Sequence, residues 1–178
     1  MVSIINACKD PNFPAQVVGV VSDNKDAAGL EYAEKEGIPT KVVSRSDYSS
    51  KSEFEQELLK QLGRFKFECL CLAGFMRVLS PEILDRLDNK VILNIHPSLL
   101  PKHKGLNVHK RVLKAGDRKS GCTVHMVTAD VDSGEIILQK EVPVYQEDTE
   151  QTLAQRVLEK EHDAYPEALR IVYKSYKK

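Results

Sequence analysis

The sequence predicts an α/β fold built on an open, mainly parallel sheet, with helices on both faces and an antiparallel edge. Segments with helical spacing alternate with short apolar segments along most of the 178 residues. Residues 16–21 and 69–73 are largely apolar, which is typical of buried parallel strands. Residues 122–127 and 136–144 are strand segments separated by a single turn, so we expect them to pair antiparallel. The length fits a single domain covering residues 1–178.

Short polar residues, glycines and prolines mark where the predicted elements begin and end. Helices are expected over residues 1–9, 25–36, 50–62, from 81 onward, 107–115 and 149–160, and strands over residues 16–21, 41–43, 69–73, 91–96, 122–127 and 136–144. Residues 22–24 are candidate caps for the second helix, and Ser49 or Ser50 for the third. Pro166 is expected to interrupt the last helix, before a final helical segment that ends near residues 177–178.

The charge balance and the cysteines limit the classes of function. Lys and Arg together number 26, and so do Asp and Glu, so the chain lacks the basic field that attracts nucleic acid or anionic membranes. Small-molecule partners are therefore expected. The four cysteines never form a Cys-x-x-Cys pair, which favours reduced thiols in a cytoplasmic protein. No signal-peptide pattern opens the chain, and no apolar run approaches the ~18 residues of a membrane span.

The segment of residues 92–105, Ile-Leu-Asn-Ile-His-Pro-Ser-Leu-Leu-Pro-Lys-His-Lys-Gly, places polar groups at the end of an apolar strand. Asn94 and His96 are two residues apart and fall on the same side of the pleat. Pro97 cannot continue the ladder, so the strand ends where these side chains project. Ligands of open α/β sheets bind beyond the carboxyl ends of strands, which predicts a binding site here. The alternative is a buried amide beside a hydrogen-bonded core histidine.

An amide donor beside an imidazole can stabilise an oxyanion and move a proton if a carboxylate orients the ring. Asp130 and Asp132 are the candidate carboxylates, because both lie in a loop close to Gly134, where the backbone can approach closely. Their alternative interpretation is a pair of solvated turn residues. The spacing does not choose between the two acids.

Nucleotide cofactors and metals find little support in the residue pattern. The nine glycines never form Gly-x-Gly, so neither a dinucleotide fingerprint nor a Walker A loop is present in the printed chain. The histidines and Cys122 show no ligand-pair spacing, and we expect no metal. His125 and His162 are predicted to be structural.

A further set of candidate binding residues follows the strand at 69–73. Phe75, Met76 and Arg77 stand at its carboxyl end, and the next strand along the chain carries Asn94. Apolar faces with an arginine would suit a flat aromatic ligand that bears an acidic tail. The alternative is ordinary loop packing.

Four segments resemble the glycinamide ribonucleotide formyltransferase family of formyl-folate enzymes. They are Asn-Ile-His-Pro-Ser-Leu-Leu-Pro at 94–101, Leu-Ala-Gly-Phe-Met-Arg-Val-Leu-Ser at 72–80, Val-Asp-Ser-Gly at 131–134 with Ile-Ile-Leu-Gln at 136–139, and Glu161-His162 before Tyr165-Pro166. The first is specific to formyl-folate enzymes as a group, while length and the other blocks favour this member. The fold that the resemblance implies is Rossmann-like.

The resemblance implies that 10-formyltetrahydrofolate donates its formyl group to the amine of glycinamide ribonucleotide in purine biosynthesis, without a metal. His96 would then be the proton donor and oxyanion stabiliser, Asn94 would bind the formyl oxygen, and Asp132 would hold and charge His96. A nearby carboxylate raises the pKa of a histidine, which would keep the imidazolium available. Glu161 would contact the ribose hydroxyls. The folate pocket would comprise Lys51, Met76, Arg77, Val78, Leu79, Asn94, Thr128, Ala129, Asp130, Val131 and Asp132.

Two positions depart from the family pattern. Members of the family begin with a strand and a Gly-x-Gly-Ser-Asn phosphate loop, whereas this chain opens inside the helix that follows, so we expect further coding sequence upstream of Met1. Leu158 stands where relatives often carry a polar residue. Methionyl-tRNA formyltransferase and formyltetrahydrofolate deformylase share the first block but normally carry a further domain. The remaining alternatives are a deformylase activity or a catalytically impaired folate-binding module, and we expect a monomer or weak homodimer.

Overall fold

The computed structural model describes residues 1–176, with side chains to residue 175. These residues form two compact units. The first comprises residues 1–69 and 79–90, and the second comprises residues 70–78 and the described chain from residue 91 onward. A single domain across residues 1–178 remains a prediction.

The first unit contains a small parallel sheet and four helices. They are α1 (Val2–Ala7), β1 (Val20–Ser22), α2 (Ala28–Lys35), β2 (Thr40–Val42), α3 (Lys51–Leu62) and α4 (Pro81–Arg86), with a 3-10 turn at Arg45–Asp47. β1 and β2 pair in parallel, with Val20 opposite Thr40. α2 packs against both strands and against α1. The core of this unit contains Ile4, Ile5, Leu30, Ala33, Val43, Phe54, Leu58, Leu62, Leu79 and Ile83.

Two of the four helices in this unit, α3 and α4, begin with a serine side-chain cap, whereas α1 and α2 do not. Ser50 caps α3, because its hydroxyl accepts from the Glu53 N–H at 3.1 Å while the Glu53 carboxylate accepts from the Ser49 N–H at 3.0 Å. The predicted cap of α2 at residues 22–24 is wrong, since that helix begins at Ala28 without a side-chain cap. The Ser22 hydroxyl instead donates to the Asn24 carbonyl at 2.9 Å and closes a separate turn.

The second unit contains a four-stranded sheet in the order β3-β4-β5-β6. Its elements are β3 (Cys69–Leu72), β4 (Val91–His96), α5 (Val108–Ala115), β5 (Lys119–Met126), β6 (Ile136–Pro143) and α6 (Glu150–Tyr176). The predicted antiparallel pairing of β5 with β6 is confirmed, and β4 also pairs antiparallel with β5. The α/β class with an antiparallel edge is therefore confirmed. The turn predicted only the pair of β5 and β6, and the structure adds β4 to this antiparallel part of the sheet.

The register between β4 and β5 positions the predicted site. Asn94 lies opposite His125, and His96 lies opposite Thr123. Residues directly opposite each other in an antiparallel pair point to the same face, so these four side chains share one face of the sheet. Cys122 alternates with them on β5 and is completely buried on the other side.

α6 is one continuous helix, so the predicted interruption at Pro166 is wrong. Proline in a helix interior costs about 3 kcal/mol, which tertiary packing must offset. Ala164, Tyr165 and Ala168 are buried around it, and the Tyr165 hydroxyl lies 2.8 Å from the Leu72 carbonyl oxygen. The predicted helix end near residues 177–178 lies outside the described residues. Within the described part of the chain, no helix is long and apolar enough to span a bilayer.

A charged clamp joins α6 to the segment that follows β6. The Arg156 guanidinium donates to both carboxylate oxygens of Asp148 at 2.7 Å. The same carboxylate accepts from the Tyr145 N–H and the Thr152 hydroxyl, both at 2.8 Å, and only 3% of its side chain is exposed. Bidentate, charge-assisted bonds of this kind are the strong ones, so the clamp anchors the start of α6.

Replacing Asp148 by Asn should lower the free energy of unfolding by about 2 kcal/mol at pH 7, because the charged bonds to Arg156 are lost. Hydrogen bonding to Arg156 lowers the pKa of Asp148 below its ordinary 3.8. The stabilisation is therefore present above that ordinary value and is lost as the pH falls toward the folded-state pKa. Urea unfolding of the variant and of the unaltered protein at pH 7 and at pH 3 measures the difference between their free energies of unfolding. This difference should be smaller at pH 3.

The control is Glu141→Gln in the exposed Lys119–Glu141 pair, whose side chains are 65% and 57% exposed. Exposed pairs contribute little, so this variant should stay within about 0.5 kcal/mol of the unaltered protein. Equal losses in the two variants would contradict the importance of the Asp148 clamp.

Candidate active site

The predicted site lies at the carboxyl end of β4. Asn94 is half-buried there, and His96 is only 6% exposed. The strand ends at His96, as the following Pro97 predicts, and a loop over residues 97–107 leads to α5.

The first part of this loop is tied to β5 and β6. The Thr123 hydroxyl donates to the Ser98 carbonyl at 2.6 Å and accepts from the Leu100 N–H at 3.1 Å. Gln139 donates to the Leu100 carbonyl at 2.9 Å. The Leu100–Pro101 peptide bond is cis. The three hydrogen bonds keep the chain that leaves His96 close to the sheet before it reaches residues 103–105.

Asp132 is the carboxylate that reaches the imidazole. Its Oδ2 lies 3.2 Å from Nδ1 of His96 and accepts from the Gly105 N–H at 2.8 Å. Asp132 adopts a positive φ of 48°, a conformation that Asp tolerates better than most residues, and this turn directs the side chain inward. Asp130 is exposed. The geometry thus selects Asp132 from the two acids that spacing left open.

Both nitrogens of His96 face oxygen acceptors. Nε2 lies 3.0 Å from the His103 carbonyl, which can only accept, so Nε2 carries a hydrogen. Nδ1 faces the Asp132 carboxylate, and only the doubly protonated ring donates to both partners. Burial nevertheless lowers the pKa of His96, opposed by the His103 carbonyl and by the charge of Asp132. The Asp132 carboxylate does raise this pKa, as expected, but desolvation outweighs it and the net shift is downward.

His125 is a site residue that the sequence pattern missed. Its Nδ1 lies 2.8 Å from the Met126 carbonyl and therefore carries a hydrogen, which leaves Nε2 of a neutral ring as an acceptor. That Nε2 lies 3.3 Å from the amide nitrogen of Asn94 and 3.6 Å from Oδ1 of Asp132. The interpretation as a hydrogen-bonded sheet histidine is correct, but the ring also orients the Asn94 amide. Only the register of β4 with β5, which the sequence pattern does not give, places His125 opposite Asn94.

The turn after β5 carries five of the eleven residues predicted for the folate pocket, those at 128–132. Thr128, Ala129, Asp130 and Val131 are exposed. Gly134 closes this turn, because a Cβ at this position would collide with the Met126 carbonyl. Four consecutive exposed residues therefore precede Asp132, whose own side chain is only 9% exposed.

The remaining predicted folate contacts are divided between the two units. Met76 is 74% exposed, and Arg77 and Val78 are exposed beside it in the second unit. Leu79 and Lys51 belong to the first unit. Leu79 is buried in that core, while the ammonium of Lys51 lies 3.7 Å from the Glu55 carboxylate.

Glu161 lies on α6 rather than on the face that carries His96. Burial raises the pKa of Glu161 to about 7. Its charge also helps burial to raise the pKa of the Cys122 thiol to about 12, and Cys122 points to the face of β5 opposite His125. The structure therefore does not bring Glu161 into the hydrogen-bonded group around His96.

The arrangement can perform proton transfer next to an amide donor. A buried imidazole lies between a carboxylate and a carbonyl, and the Asn94 NH₂ group keeps one N–H beyond its contact with His125. These are the groups that acyl-type transfers use to stabilise an oxyanion and move a proton. Across the described residues, no group of three His, Cys, Asp or Glu side chains has the geometry of a metal site.

Comparison with known proteins agrees with this chemistry. The formyl transferase family model matches residues 1–169. The chain is 49% identical over 170 residues to the trifunctional purine biosynthetic protein adenosine-3 of Gallus gallus, covering 96% of this chain but 17% of that protein. It is 41% identical over 164 residues to the phosphoribosylglycinamide formyltransferase of Escherichia coli K12, covering 92% of this chain and 77% of that protein.

Solved structures share the fold at similar identity. The phosphoribosylglycinamide formyltransferase of Brucella melitensis is 47% identical with a TM-score of 0.89, covering 96% of this chain and 88% of that one. Glycinamide ribonucleotide transformylase 1 of Symbiobacterium toebii is 41% identical with a TM-score of 0.92, covering 97% and 81%. The chain therefore belongs to the formyl transferase family, in the group of the phosphoribosylglycinamide formyltransferases.

Proposed function

We propose that the protein transfers a formyl group from 10-formyltetrahydrofolate to the amino group of glycinamide ribonucleotide, a step of de novo purine biosynthesis. The observation that carries this proposal is the contact between His96 and Asp132 beside Asn94, in a chain of the formyl transferase family. Relatives named for this activity or for purine biosynthesis support the choice of substrates.

The proposed reaction exchanges one carbon–nitrogen bond for another. The amine nitrogen attacks the formyl carbon, and the carbonyl π electrons move onto oxygen to form a tetrahedral intermediate. Its collapse breaks the bond between the formyl carbon and N10 of the folate. The amine loses one proton and N10 gains one, so no oxidant or reductant is needed. Catalysis therefore consists of stabilising the oxyanion and moving a proton.

The residues at the end of β4 would divide these tasks. Asn94, whose amide nitrogen His125 orients, would donate its remaining N–H to the formyl oxygen. His96 would stabilise the oxyanion and supply the proton, with a substrate oxygen replacing or sharing one of its present acceptors. Asp132 would stabilise the imidazolium in the intermediate.

Exposed residues of two segments, 76–78 and 128–131, would hold the formyl donor. Met76 and Val78 offer apolar contact area for a pterin ring, and Arg77 offers a guanidinium for a carboxylate. The turn at residues 128–132 would provide the polar contacts. Lys51 and Leu79 remain candidates on the strength of the resemblance.

The remaining assignments follow from the same proposal. Glu161 would accept hydrogen bonds from the ribose hydroxyls of the nucleotide. The partners would be small molecules rather than nucleic acid or membrane, and no metal would take part. We expect a cytoplasmic protein that is a monomer or weak homodimer.

The decisive experiment incubates the protein with 10-formyltetrahydrofolate, with and without glycinamide ribonucleotide. We expect loss of the formyl folate only when the nucleotide is present, together with one formylated nucleotide per folate consumed, followed by absorbance and mass spectrometry. Loss without the amine would indicate a deformylase instead. Binding without turnover would indicate a folate-binding module.

Replacing His96 by Ala should lower kcat by about 100-fold or more, because the proton donor and oxyanion partner are lost. Folate affinity, measured by fluorescence titration, should change much less. His162→Ala, which removes an exposed imidazole on α6, serves as the matched control and should keep its activity. Equal losses of turnover and folate affinity in His96→Ala would refute the catalytic role.

Glu161→Gln should make the protein more stable than the unaltered chain at pH 8 but not at pH 4.5. The pKa of this carboxyl is about 7 in the fold against an ordinary 4.5. As the pH rises between these values, the unfolded chain gives up the proton first, so Glu161 destabilises the fold over this window and above it. Thermal unfolding of both proteins at the two pH values measures the effect, and an equal difference at both would contradict the burial of this carboxyl.

A further inference from the structure

Residues 103–105 contact both members of the His96–Asp132 pair. The His103 carbonyl lies 3.0 Å from Nε2 of His96, and the Gly105 N–H donates to Oδ2 of Asp132 at 2.8 Å. Gly105 has a φ of 76°, so this short segment turns sharply between the two contacts. Whatever holds the segment therefore controls the position of the imidazole and of the carboxylate together.

Arg111 on α5 is the residue that holds these carbonyls. Its Nη2 donates to the His103 carbonyl at 2.8 Å and also to the Lys104 carbonyl. The His103 oxygen thus accepts from Arg111 and from His96, which uses both of its lone pairs. Val108 and Val112, both buried, anchor the same helix, so the base of the arginine is fixed.

Two other bonds hold the segment without touching the shared oxygen. The His103 side chain lies 2.7 Å from Oδ2 of Asp117, and the Lys104 ammonium donates to the Ser133 hydroxyl at 2.6 Å. These bonds restrain side chains at the edge of the segment. Arg111 alone, among the contacts seen in residues 1–175, shares its acceptor with the ring of His96.

We infer that Arg111 is a positioning residue for the proposed formyl transfer, which holds the His103 and Lys104 carbonyls so that this segment orients His96 and Asp132. The inference rests on the proposed function. Nη2 carries two N–H groups in the plane of the rigid guanidinium, so one nitrogen can donate to both carbonyls in a fixed geometry, whereas an ammonium is a compact charge on a flexible stem. The hydrogen bonds of Arg111 reach the His96–Asp132 pair through the backbone of residues 103 and 104.

The test measures formyl transfer by Arg111→Met, Arg111→Lys and the matched control Lys114→Met, each alone and the first also with His96→Ala. Lys114 is exposed on the same helix, so its variant removes one positive charge without touching the segment. Arg111→Met should lower kcat about 10-fold, since misplaced catalytic groups are costly, while both KM values stay within about 2-fold. Arg111→Lys should lower kcat by a smaller factor, and the kcat of Lys114→Met should stay within about 2-fold of that of the unaltered protein.

The double variant separates positioning from a general structural role. If Arg111 acts through His96, then Arg111→Met should reduce kcat no more than about 2-fold further in the His96→Ala background. A further 10-fold loss there, a loss confined to KM, or unchanged kcat in Arg111→Met would overturn the inference. If thermal unfolding shows that Arg111→Met does not fold, Arg111→Lys takes its place. Its loss of kcat in the unaltered protein should then exceed its loss in the His96→Ala background. Absence of transfer by the unaltered protein would instead overturn the proposed function and this inference with it.

Discussion

The geometry of this protein depends on one buried imidazole held between two oxygen acceptors. Nδ1 of His96 meets the Asp132 carboxylate, and Nε2 meets the His103 carbonyl. The two acceptors arrive on different segments, the turn after β5 and the loop before α5. Buried acceptors left without a hydrogen are costly, so the ring, the turn and the loop hold one another in place. The bonds that close this end of the sheet are therefore also the bonds that arrange the chemistry.

Unusual backbone conformations make this arrangement possible. Asp132 and His103 have φ values of 48° and 55°, and Gly105 has 76°. A positive φ costs energy for residues other than glycine, so such conformations persist only where surrounding contacts require them. Each of these residues supplies a group to the His96–Asp132 pair or accepts from it. His103 and Asp132 are two of the three non-glycine residues with a positive φ in the described chain, and the third, Asn107, occupies the N-cap position of α5.

The electrostatics of the site are a balance between opposing effects. Burial lowers the pKa of His96, while the two acceptors favour the charged ring. Burial and the two acceptors thus act in opposite directions on the proton affinity of the ring, which suits a reaction that takes a proton from an amine and returns one to a leaving nitrogen. The neighbouring Arg111 and His125 also disfavour the imidazolium. A carboxylate next to a histidine therefore does not by itself decide the charge of the ring.

The sequence by itself determined the local features: the apolar β4, its end at Pro97, Asn94 and His96 on one face, and the antiparallel turn between β5 and β6. These follow from the two-residue period of a strand and from the missing N–H of proline. Only the tertiary structure chose Asp132 over Asp130, brought His125 to Asn94 across 31 residues, and kept α6 continuous through its internal proline. The physical reason is that these outcomes depend on contacts between distant segments, which no local periodicity encodes.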